Sequence, residues 1–112
     1  MARYQPAYDL ETVKQLAREG KHHVFSRAFR FILNRYDGAD PAEVAAAVVE
    51  AMEKKNFHKS DELKARPGTY ADIYNGIKCA DYPDEDWYAK IVVTDDEAVL
   101  EIWSMNWDGY NH

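Results

Sequence analysis

The sequence has one cysteine, Cys79, in 112 residues, so no internal disulfide can form; the core must hold by packing, and a reducing compartment suits it. It also has no apolar run near the roughly 20 residues of a membrane span, and Met1 to Pro6 has no apolar centre of a signal peptide. A cytoplasmic protein with no membrane partner is expected. Glycine is scarce, and no Gly-rich phosphate loop, zinc-ligand spacing or nucleophile elbow appears. Positive charge is scarce in the second half: residues 67–112 carry two Lys/Arg against ten Asp/Glu, whereas residues 1–37 carry seven against four. A basic surface would have to come from the first half, and the second half repels acidic partners.

What is present argues for a folded domain. Hydrophobic residues make up 46% and aromatics 13%, enough for a single core, and the spacing predicts one domain over residues 1–112. Asp9 caps a first helix with Leu10, Val13, Leu16 and Ala17 on one stripe, and Gly20 ends it. Val24, Phe25, Ala28, Phe29, Ile32, Leu33 and Tyr36 repeat with the same period, which predicts a second helix over 25–35. Its Arg27, Arg30 and Arg35 lie off that stripe, where they suit a phosphate grip or a solvated helix face. Asp40, Pro41 and Glu43 form a sharp start for a third helix with Val44, Ala45, Val48, Val49 and Met52 inward.

Residues 60–68 read as a polar linker, closed by Pro67 and Gly68. Alternation from Tyr70 to Tyr74 predicts a short strand, and Asn75-Gly76 a turn. After an acidic loop, Tyr82 to Asp86, the β-branched run Trp87 to Thr94 is the strongest strand, with Trp87, Ala89, Ile91 and Val93 on one face and Tyr88, Lys90, Val92 and Thr94 on the other. Asp95-Asp96-Glu97 turns the chain into a partner strand, Ala98 to Met105, and the tail from Asn106 to His112 is expected to fray. The predicted fold is α+β, with N-terminal helices packed on a small antiparallel β-sheet.

Chemistry is densest between Asn56 and Tyr74. There, and in the strands beyond, the residues look similar to a known family. Pro6 to Leu10, Asn56-Phe57-His58-Lys59-Ser60, Asp72-Ile73-Tyr74, and Trp87 to Ile91 leading into a closing hairpin resemble, in order and approximate spacing, the MqsR toxin family. The family's Phe-Tyr-Lys-Ser-Met reads Phe57-His58-Lys59-Ser60-Asp61 here. The resemblance implies a RelE-like fold, a metal-independent endoribonuclease acting on mRNA with no cofactor, and silencing by a cognate antitoxin protein. Carried over residue by residue, the family's site lysine falls on Lys59 and its tyrosine on Tyr88. A glutamine falls on Ala71 and a second lysine near Ser104 or Met105, and both are missing.

Metal-free RNA cleavage by the 2′-hydroxyl needs a base, a cation for the phosphorane and an acid for the leaving oxygen. Lys59 fits the cation or the acid, and His58 titrates in the right range for base or acid, though a surface imidazole looks the same in sequence. Tyr88 and Lys90 share a strand face, where a phenol can stack on a base and an ammonium can meet a phosphate; they suit an ordinary solvent-facing sheet equally. Tyr70 and Tyr74 are stacking candidates or plain core and edge aromatics, and Lys78 completes the substrate-binding set. The acidic residues at 72, 84–86, 95–97 and 101 support an alternative: a non-catalytic protein of the same fold that binds a basic protein partner or mimics nucleic acid.

Overall fold

The computed structural model describes residues 2–96 and 98–109. Three helices, α1 (Leu10–Arg18), α2 (Ser26–Arg35) and α3 (Pro41–Ala51), pack with a six-stranded sheet. Its strands are β1 (Ala2–Arg3), β2 (His22–Val24), β3 (Phe57–Leu63), β4 (Arg66–Ile77), β5 (Trp87–Val93) and β6 (Leu100–Trp107), ordered β1-β3-β4-β5-β6-β2. All neighbours are antiparallel except β2, which runs parallel to β6. The architecture is α+β, as the sequence predicted, with a larger and mixed sheet.

Helix starts follow their side chains. The Thr12 N–H donates to Asp9 at 3.1 Å, and the Ala42 N–H donates to Asp40 at 3.0 Å, which satisfies amides that the first helical turn leaves without partners. Val13, Leu16 and Ala17 of α1 and Val44, Ala45, Val48 and Val49 of α3 are buried as their stripes demand. They meet Tyr74, Ile77, Trp87, Ala89, Ile91, Val93, Leu100, Ile102 and Met105 on one face of the sheet. A smaller cluster, Leu63, Ala71 and Val92 under Trp103 and Tyr8, forms apart from this core.

Four expectations are corrected. On α2 the inward residues are Ala28, Phe31 and Ile32, while Phe29 and Leu33 stay 41% exposed, because the helix lies along β6 and turns Phe31 between Trp87 and Trp107. The supposed linker over 60–68 is instead the turn and adjoining strand ends of a hairpin, β3 into β4, with Gly68 at φ +88° and its N–H donating to the Glu62 carboxylate. Asn75-Gly76 is a bulge that β4 passes through, fixed by the Asn56 amide donating to the Gly76 carbonyl at 3.1 Å. Asn106 and Trp107 do not fray but pair with Tyr88 and Trp87, and Asn106 is buried. Of the expected turn and tail, Glu97 and residues 110–112 lie outside the described residues.

The N-terminal segment is tied down by one buried carboxylate. Asp72 accepts from the Ala7 N–H at 2.9 Å and the Tyr8 N–H at 3.0 Å, and the Tyr8 hydroxyl donates to the Tyr70 carbonyl at 2.6 Å. Among the described residues no helix is long and apolar enough to cross a membrane.

Candidate functional site

A bulge in β3 decides which way its chemistry points. Phe57 pairs with Tyr74, but Lys59 pairs with Ile73, so His58 is the extra residue. Without it, Phe57 and Lys59 would share a face. With it, Phe57 packs edge-on against Tyr74 in the main core, 5.6 Å between ring centres, while Lys59 turns to the sheet's second face.

That face gathers a row across four strands: Lys59 on β3, Ile73 on β4, Lys90 on β5 and Ser104 on β6 are successive register partners. Two strand spacings separate the lysines, roughly 10 Å, which their long side chains can close over a phosphate. Tyr88 lies two residues from Lys90 on the same face, opposite Asn106. Burial raises the Tyr88 phenol above its ordinary pKa, the Asp61 carboxylate raises it further, and the Arg27 guanidinium from α2 pulls it down. Lys59 Nζ makes an ion pair with Asp61 at 3.1 Å, both side chains about one-third exposed. Lys90 makes no ion pair among the described residues. Asn106 is 3% exposed, and its side-chain oxygen has no hydrogen-bond partner.

The structure therefore brings Lys59, Tyr88 and Lys90 together on one surface. Other candidates lie elsewhere. His58 sits exposed at the bulge, and Tyr74 is buried on the helix-covered face, where burial, Asp72 and Asp9 push its phenol up to about 12. Tyr70 lies under the Arg3 guanidinium, 3.8 Å from ring centre, and exposed Lys78 is paired to Asp86 at 3.0 Å. Of the three α2 arginines, Arg27 acts on Tyr88, whereas Arg35 rests over Phe31 and Trp107.

Sequence reasoning missed Asp61, Asn106 and the placing of Arg27. Asp61 had a usable signal: two positions after Lys59, it shares a strand face with it once residues 57–63 are read as a strand. Asn106 had none, since its register with Tyr88 depends on a bulge at Trp103. Among the described residues no group of three or more His, Cys, Asp or Glu is placed to hold a metal ion.

Ala71, where the resemblance expected glutamine, is fully buried beneath Leu63 and Val92. Ser104, near the second missing lysine, stands directly across from Lys90, so the row still carries a cation there.

No curated protein matches the chain. A family model described as "Motility quorum-sensing regulator, toxin of MqsA" matches residues 5–105, spanning the helices, the β3 bulge and both strands that carry Lys59 and Tyr88. With nine-tenths of its length so matched, the chain belongs to the MqsR toxin family, toxins of toxin–antitoxin pairs.

Proposed function

We propose that this toxin is a metal-independent endoribonuclease acting on mRNA, held silent by an antitoxin protein. The observation that carries the reading is the single sheet face on which Lys59, Lys90 and Tyr88 converge, with Arg27 beside it. Two ammonium groups across one strand suit a phosphodiester and the charge that grows on it during cleavage. Tyr88 adds a ring for a neighbouring base, and such stacking is worth about 1–3 kcal/mol per base.

The test is cleavage of a long mRNA transcript in excess chelator. Wild-type protein should cut it, and Lys59→Ala should lose at least 100-fold in rate while keeping its melting temperature. Equal cleavage by the two proteins would refute the assignment.

One feature favours a second reading, that of a non-catalytic binder of a basic protein. Asp84, Glu85, Asp86 and Asp108 line one shallow surface depression. A wild-type protein that cuts no RNA yet retains a basic protein in pull-downs would establish that reading instead.

A further inference from the structure

We infer that Asp61 is the general base of this site, and that its ion pair with Lys59 is the route by which the site resets its protons. The inference rests on the ribonuclease reading above and assigns the one function that Lys59, Lys90 and Tyr88 leave open. Two lysines and an arginine supply cations, and Tyr88, raised by burial, holds its proton at neutral pH. A carboxylate on the same face is the group that can accept one.

Asp61 lies two residues along β3 from Lys59, bonded to it at 3.1 Å and still about one-third exposed, so it is neither sealed in the core nor isolated in solvent. By register Asp61 stands opposite Ala71, one step along the same face from the row of Lys59, Ile73 and Lys90, on the side away from Tyr88. The resemblance gives no reason for it, since the family motif has methionine there. A lone carboxylate would repel a phosphate; here Lys59 balances it, and the ammonium has further donors free for a phosphate oxygen.

The step closes on these two side chains. Asp61 takes the proton of a ribose 2′-hydroxyl, and that oxygen bonds to the adjacent phosphorus. The bond from phosphorus to the 5′-oxygen of the next nucleotide breaks, and this oxygen leaves with a proton from Lys59. The products are a 2′,3′-cyclic phosphate and a free 5′-hydroxyl, with no water or metal consumed. The proton on Asp61 then passes to the Lys59 amine across the same 3.1 Å contact, restoring the ion pair.

The charged and titratable groups on the face of Asp61 are Lys59 on its own strand, Tyr88 and Lys90 on β5, and Glu101 on β6, which lies in the row of Asp61 beyond Ala71 and Val92 and is paired with Arg66 at 2.9 Å. Arg27 on α2 acts on Tyr88, and Arg3, Glu62 and Tyr70 occupy the neighbouring register positions on the other face. Glu101 is held by Arg66, which leaves Asp61 as the carboxylate in contact with Lys59.

The experiment compares wild type, Lys59→Ala, Asp61→Asn and Asp61→Glu on a long transcript in chelator, from pH 4 to 9, with folding checked by circular dichroism. Expected are a loss of 10²–10⁴-fold in kcat for Asp61→Asn with KM little changed, disappearance of the acidic limb, and substantial recovery in Asp61→Glu. Products of wild-type cleavage should end in cyclic phosphate. If Asp61→Asn cuts within threefold of wild type, or faster, Asp61 only restrains Lys59 and the inference fails while the ribonuclease reading stands. If wild type itself cuts nothing, both fall. Should Asp61→Asn not fold, a wild-type profile without a carboxylate limb overturns the inference by itself.

Discussion

Asp72 shows how much one side chain can organise. Fully buried on β4, it spends both oxygens on the Ala7 and Tyr8 amides and so fixes the segment that leads into α1. Asp72→Ala would leave two amides short of an acceptor and should cost about 2 kcal/mol in a urea unfolding curve. Burial also raises the Asp72 pKa, outweighing the two amides that pull it down. A native state whose acid has the higher pKa binds protons more tightly than the unfolded chain, so stability falls as pH rises from the ordinary carboxylate value through the raised one. Below that interval this contribution is complete, and Asp72→Asn should flatten the slope when melting temperature is followed from pH 3 to 7. In sequence, Asp72 looked like one more acidic residue of the second half, because burial and amide partners separated by over 60 positions leave no local mark.

At the level of elements, legibility followed locality. Caps at Asp9 and Asp40 and the stripes of α1 and α3 were readable because helix periodicity and first-turn hydrogen bonds are settled within a few residues. The β5 faces were readable for the same reason. The face of α2 was not, since Phe29 and Phe31 fit the period about equally and only β6 decides between them. Phe31→Ala should therefore cost about 3–5 kcal/mol, whereas Phe29→Gln and Leu33→Gln should each stay within about 0.5 kcal/mol, measured by chemical denaturation. Equal losses at 29 and 31 would contradict the observed orientation. The β3–β4 hairpin was misread because its strands are polar along much of their length, and only Leu63, Ala71 and Ile73 betray a buried side. That error hid the partnership of Lys59 with Asp61, although Lys59, Tyr88 and Lys90 were each put forward from their residue types and the family pattern.

Across the whole molecule, two phenols set the alkaline limit. Tyr36, raised by burial and by its hydrogen bond to Asp84, and Tyr74, raised by burial and nearby carboxylates, both reach about 12 against 10.0 for an ordinary tyrosine. The unfolded chain ionises them first, so stability should drop between pH 10 and about 12; Tyr36→Phe should weaken the drop, as read by melting curves in that range. A molecule of net charge −6 that presents only Lys59 and Lys90 in the row across its sheet should bind RNA weakly and with steep salt dependence, because the remaining surface repels the backbone.

The parallel pairing of β2 with β6 joins His22–Val24 to Leu100–Ile102, and β1 joins β3 across nearly sixty residues. A chain emerging from the ribosome has therefore made α1, β2 and α2 long before the strand that β2 needs exists, and must carry their apolar faces uncovered until then. Lys90 and Tyr88 reach the row of Lys59 only when β5 docks on β4. The face that carries Lys59, Lys90 and Tyr88 is thus assembled from pieces that meet only near the end of synthesis.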